Sequence, residues 1–213
     1  MTQADRDELP PEPARPARGT DARARGTRMG GTEMSHIGIW VRRDPGKPGR
    51  DALLLESLGA YAAAQGLPAP APADIVRPGP GRKPYLRGEP YGFSVSHSGE
   101  YWACAVGGGN VGLDLQLRQP CNYREIARRF FTPEEQAYLR RRGAEAFFDL
   151  WAAKESYIKW LGANLSALRS FSAVRGDELR CPDERARLWL FRCLPGYGVC
   201  LCAAADGVSF HFA

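Results

Sequence analysis

The segment AEAFFDLWAAKESYIKWLG, residues 144–162, constrains the fold of this chain more than any other stretch. Phe147, Leu150, Trp151, Ile158 and Leu161 recur at helical spacing and form one apolar stripe, and Gly162 supplies a stop. Such a helix needs a larger apolar surface to lie on, and the rest of the sequence offers strands. HIGIWV (36–41), FSVSHS (93–98), YWACAV (101–106) and VGLDLQL (111–117) read as strands, as does YGVCLCAAA (197–205), where Cys200 and Cys202 share a face. GGGN (107–110) suits a tight hairpin between 101–106 and 111–117. GRDALLLESLGAYAAAQG (49–66) reads as a helix stopped by Gly66 and Pro68, followed by a Pro/Gly-rich connection over 68–84. CNYREIARRFF is a further helix, and TPEEQAYLRRR begins another with Thr132 as N-cap, Pro133 at the first helical position and Glu135 closing a capping box. Strands and helices mix without regular βαβ alternation, which predicts an α+β fold.

A chain of 213 residues suits one domain, or two small halves sharing a core. No apolar run is long enough to cross a bilayer. The formal charge, 29 − 24 = +5, fits an anionic partner. No Lys/Arg block or zinc-finger spacing points to nucleic acid. Residues 1–33 carry six arginines against six acidic residues among Pro, Ala and Gly, and almost no aliphatic side chains. That composition predicts a disordered leader, with Met34 a candidate initiator. Six cysteines without a CxxC pair, three histidines and no secretory signal predict free thiols in a reducing cytoplasm, not a zinc site or a disulfide framework.

Four places could carry chemistry. In VGLDLQ (111–116), Leu113 and Leu115 point one way while Asp114 and Gln116 point the other. Two oxygen donors on one strand face can ligate a hard cation such as Mg²⁺, and a solvated outer strand face has the same pattern. In the long helix, Glu155 falls at the edge of the apolar stripe with Lys159 and Phe148 further round, and Lys154 on the opposite flank. Glu155 and Lys159 form either a surface i,i+4 pair or a ligand-facing pair. SVSHSG (94–99) sets His97 between Ser96 and Ser98. It reads as a Ser–His hydrolase dyad without a GxSxG elbow, as an anion-binding stretch, or as a satisfied core histidine. GRKP (81–84) puts two cations in a stiff turn, either a phosphate contact or a surface loop.

Taken in order, GRKP, FSVSHSG, VGLDLQ, RRFFTPEE and WAAKESYIKWLG resemble the 4′-phosphopantetheinyl transferase superfamily, in its longer surfactin-type branch, from about residue 81 to 162. The resemblance implies two similar α/β halves related by a pseudo-twofold, 34–106 and 107–213, the second carrying the metal site and the first shortened. It implies Mg²⁺-dependent transfer of the phosphopantetheine arm of coenzyme A to a serine of an apo acyl, aryl or peptidyl carrier protein, by a monomer, releasing adenosine 3′,5′-bisphosphate. Asp114 and Glu155 match the family's metal ligands, and Gln116 stands where a further acidic ligand is common. Lys159 matches the lysine at the pyrophosphate. Lys83, Ser96 and His97 match positions that hold the nucleotide phosphates, and Arg50 a basic coenzyme A contact. Gln116 leaves the site one negative charge short, which implies weaker metal affinity. An impaired relative that binds coenzyme A or a carrier without transfer is the alternative.

Overall fold

The computed structural model describes residues 36–79, 81–88 and 90–212; the expectations placed on residues 1–33 and on Met34 lie outside them. The order of elements is β1 (His36–Arg43), α1 (Arg50–Ala64), β2 (Ile75–Val76), β3 (Tyr85–Leu86), β4 (Gly92–Ser98), β5 (Tyr101–Gly107) and β6 (Val111–Leu117). There follow α2 (Tyr123–Phe130), α3 (Pro133–Arg142), α4 (Ala144–Leu161), β7 (Val174–Arg175), β8 (Glu178–Leu179), β9 (Arg187–Phe191), β10 (Tyr197–Ala203) and β11 (Gly207–Phe212). The mixed α+β architecture agrees with the sequence reading.

Two sheets lie face to face. The first has the order β11-β1-β5-β4, with β11 parallel to β1 and the other pairings antiparallel. The second is the antiparallel β6-β10-β9. Ile37, Ile39 and Ala105 of the first meet Leu113, Leu115 and Leu201 of the second in one apolar cluster. α1 covers the outer face of the first sheet, where Leu54, Leu58 and Tyr61 meet Trp40, Phe93 and Trp102. α4 covers the outer face of the second, against Cys200 and Cys202, the pair expected to share a strand face. The layers therefore run helix, sheet, sheet, helix. Each large side chain sealed between them contributes on the order of 1.5–3 kcal/mol of burial.

The glycine of VGLDLQ explains how closely α4 lies on its sheet. A Cβ at Gly112 would stand 1.9 Å from the Ser156 carbonyl oxygen and 2.5 Å from the Trp160 nitrogen. A side chain there would lift the helix off the strand that carries Asp114. α4 ends where expected: Gly162 takes a left-handed conformation, φ 69°, and its N–H returns to the Ile158 and Lys159 carbonyls. The Thr132–Glu135 capping box also forms.

Two local expectations are corrected. β5 and β6 do not pair across GGGN: β5 already has β1 on one edge and β4 on the other, and β6 joins the second sheet. The tight hairpin lies one strand earlier, where Ser98 pairs with Tyr101 around Gly99 and Glu100. In α4, Leu161 is 44% exposed rather than part of the buried stripe. Lys154 is fully buried, because its flank faces α3 and residues 171–173 rather than water.

Candidate active site

Asp114 alternates out of the inter-sheet core and points under α4, where it is 5% exposed. The outer face of β6 is thus covered, not solvated. From α4, Lys159 reaches down to the strand: its Nζ donates to Asp114 Oδ1 at 2.7 Å, to the Leu113 carbonyl at 3.0 Å and to Ser96 Oγ at 3.3 Å. The lysine's described ion pair is with the strand carboxylate, not with Glu155 one turn back. That choice decides between the two helix readings, since the pair at 155 and 159 faces the sheet.

Glu155, half-buried, has its pKa pushed up to about 7. Burial is the larger cause and the nearby Asp114 carboxylate adds to it, while Lys159 opposes both. Asp114 Oδ2 is buried and has no hydrogen-bond partner among the described residues. A buried, unmet carboxylate oxygen beside a second carboxylate under strain is the electrostatic signature of a place for a cation. Asp114 and Glu155 therefore fit Mg²⁺. Among the described residues no cluster of three or more His, Cys, Asp or Glu side chains could hold a metal, so further oxygens must come from amides, ligand or water.

The GRKP turn comes to the same place. Lys83 donates to the Val111 carbonyl at the start of β6, and burial lowers its pKa to about 8, with Lys159 a like-charged neighbour. Two cavities adjoin there and share Arg82, Lys83, Pro84 and Lys159. One, of about 570 Å³, also contains Glu155, Ser94 and Val95. The other, of about 490 Å³, is walled by Tyr85, Tyr91, Phe93 and Trp160. Together they make a cleft with cations at its waist and aromatic rings at one end.

The remaining candidates are placed differently. Ser96 is buried beneath Lys159, whereas His97 points out of the opposite strand face and is exposed. Adjacent serine and histidine on a strand cannot form a hydrolase dyad, and Ser96 donates to Asp114 instead. Desolvation and the neighbouring Arg50 hold the His97 pKa below the ordinary imidazole value. Arg50 opens α1 and is bound by Asp44 through Nε at 2.9 Å and Nη2 at 2.6 Å; neither Arg50 nor His97 lines the two cavities. Gln116 shares the strand face of Asp114, and it lines a separate cavity of about 190 Å³ with Cys121, Phe147 and Trp151.

Sequence reasoning missed two features. Ser94 and Ser98 bond the neighbouring strand, as Ser96 does, a row whose signal is the alternation of three serines in FSVSHS. Glu135, expected only as a cap, also grips Lys154 in the buried interior.

Residues 110–200 match the model of the 4′-phosphopantetheinyl transferase superfamily. A 4′-phosphopantetheinyl transferase of Bacillus subtilis is 34% identical over 143 residues, 60% of this chain and 63% of that protein. The 4′-phosphopantetheinyl transferase Sfp of Bacillus subtilis (strain 168) is 33% identical over 123 residues, 53% of this chain and 54% of that protein. The 4′-phosphopantetheinyl transferase psf-1 of Bacillus pumilus is 33% identical over 141 residues, 61% of this chain and 60% of that protein. The match thus spans less than two thirds of each relative. With the strand, turn and helix motifs converging on one cleft, the chain is similar over residues 110–200 to the 4′-phosphopantetheinyl transferase superfamily, and at 33–34% identity to Sfp-type proteins over part of their length.

Proposed function

We propose that the chain transfers the 4′-phosphopantetheine arm of coenzyme A to a serine hydroxyl of an apo acyl, aryl or peptidyl carrier protein. The observation that carries this reading is Asp114 Oδ2, buried and unmet, near Glu155, which lines the cleft together with Lys83 and Lys159. Asp114 and Glu155 would hold Mg²⁺, with Gln116 contributing an amide oxygen directly or through water. Mg²⁺, when bound, supplies charge neutralisation on the diphosphate.

The chain's own groups then have distinct roles. Lys83, with Arg82 beside it, draws the nucleotide phosphates into the cleft; His97 and Arg50 match further phosphate and coenzyme A contacts in the family, whereas Ser96, at another such position, gives its proton to Asp114 instead. The serine oxygen forms a bond to the pantetheine-side phosphorus, the diphosphate P–O bond breaks, and adenosine 3′,5′-bisphosphate departs. Glu155, or a water it orients, takes the serine proton. Lys159 turns from Asp114 to meet the charge growing on the departing bisphosphate. The proposed architecture is two α/β halves, 34–106 and 107–213, forming the cleft within a monomer. A cytoplasmic location is part of the same reading; among the described residues no helix is long and apolar enough to cross a membrane.

Gln116 favours one competing reading: a relative that binds coenzyme A or a carrier without transferring the arm. Incubation with coenzyme A, Mg²⁺ and a panel of apo-carriers separates the two. A mass gain on a carrier serine supports the transferase, and coenzyme A binding without any gain supports the binding protein.

A further inference from the structure

We infer that Ser96 is a positioning residue for Asp114, its hydroxyl fixing which carboxylate oxygen is turned to the cation. The inference rests on the reading of the site proposed above. Ser94, Ser96 and Ser98 alternate along β4, and their hydroxyls accept the backbone N–H groups of Leu113 at 2.9 Å, Leu115 at 3.1 Å and Leu117 at 3.0 Å. β6 therefore has β10 on one edge and a row of serine oxygens on the other, where a neighbouring strand would present carbonyls.

The middle rung differs from its neighbours. A hydroxyl has one proton and two lone pairs. At Ser96 the lone pairs face Leu115 N and Lys159 Nζ, and the proton is directed to Asp114 Oδ1 at 2.9 Å. Every capacity of this hydroxyl is committed within the protein, at 6% exposure, leaving no donor for a phosphate. Asp114 Oδ1 receives both Ser96 and Lys159, while Oδ2 is the oxygen with no partner among the described residues. When Lys159 swings to the leaving group, Ser96 is the anchor that stays on Oδ1 and keeps Oδ2 aimed at the cation. Without it the carboxylate rotates freely and Leu115 N loses its acceptor.

The test measures Mg²⁺ binding, not turnover. At a fixed concentration of coenzyme A, MgCl₂ is titrated and the apparent Kd is read from the rise in Tm. Ser96→Ala should weaken Mg²⁺ by about 10–100-fold, the range for groups that orient a metal ligand. Ser98→Ala removes an equivalent rung that does not touch Asp114, and should leave Mg²⁺ affinity unchanged. Coenzyme A affinity at saturating Mg²⁺ should be unchanged in both. Should Ser96→Ala not fold, Ser96→Cys keeps the volume with a weaker donor and should weaken Mg²⁺ in the same direction. Unchanged Mg²⁺ affinity in the Ser96 variant overturns the inference, as does an equal loss in Ser98→Ala. Lost coenzyme A affinity with the Mg²⁺ response intact also overturns it, in favour of a phosphate contact. A wild-type protein that shows no Mg²⁺ response removes the cation site itself, a failure of the underlying reading that takes this inference with it.

Discussion

Replacing Lys154 by methionine should cost this protein a large part of its stability. Lys154 and Glu135 are both fully buried. The ammonium donates to Glu135 Oε1 at 2.6 Å, to Oε2 at 2.7 Å and to the Phe171 carbonyl at 3.0 Å. It also lies 4.3 Å from the centre of the Phe171 ring. Glu135 in turn accepts the backbone N–H groups of Thr132 and Ala173, each at 2.8 Å. Breaking a buried pair from one side strands a charge, at a cost of about 3–5 kcal/mol. Lys154→Met preserves most of the stem volume and leaves the carboxylate its two N–H donors, which places the expected loss near the lower bound, about 3 kcal/mol. For a body of this size each kcal/mol moves Tm by about 2–4 °C, giving a drop of roughly 6–12 °C. Urea denaturation followed by circular dichroism at pH 7, with calorimetry alongside, measures both. The double variant Glu135→Gln/Lys154→Met strands no charge and should recover most of the loss. A single-variant loss below about 1 kcal/mol, or strictly additive losses in the double, refutes the reasoning.

Other consequences bear on the cleft. Asp114→Ala and Glu155→Gln should each lower kcat for carrier modification by more than about 100-fold, with far-UV circular dichroism unchanged. The Glu155 pKa lies above its unfolded value, so this group disfavours the folded state above pH 7. That penalty is relieved as pH falls from 7 toward the ordinary carboxylate range. Glu155→Gln lacks the penalty, and its stability relative to wild type should be greater at pH 8 than at pH 5; equal differences at both would show that Glu155 is not perturbed. Gln116→Glu should preserve transfer or lower the Mg²⁺ concentration for half-maximal rate, and loss of activity in a folded variant would remove residue 116 from the metal.

What the sequence made legible depended on how local each signal was. The end of α4 at Gly162 and the Thr132–Glu135 box are encoded within one helical turn, and both formed as read. The two faces of β6 followed from strand alternation, which any pairing partner preserves. Which edge of β5 was free was not legible: that depends on β1, some sixty residues earlier. The burial of Lys154 escaped for a related reason, since a helix periodicity says which flank a residue occupies but not what is packed on that flank. Ser96 shows the same limit at the site. Its place beside the phosphate motifs was readable, whereas the bond to Asp114 requires knowing that β4 and β6 meet side chain to backbone.

The central claim is that one strand and one helix grip a single divalent ion beside a diphosphate. Anomalous diffraction from crystals grown with Mn²⁺ and coenzyme A tests it most directly. The account predicts one strong Mn²⁺ peak coordinated by Asp114 Oδ2 and Glu155, with Lys159 moved off Asp114 toward the diphosphate. A cation bound elsewhere in the cleft, or coenzyme A seated with Lys159 still on Asp114 and no Mn²⁺ peak, would contradict it.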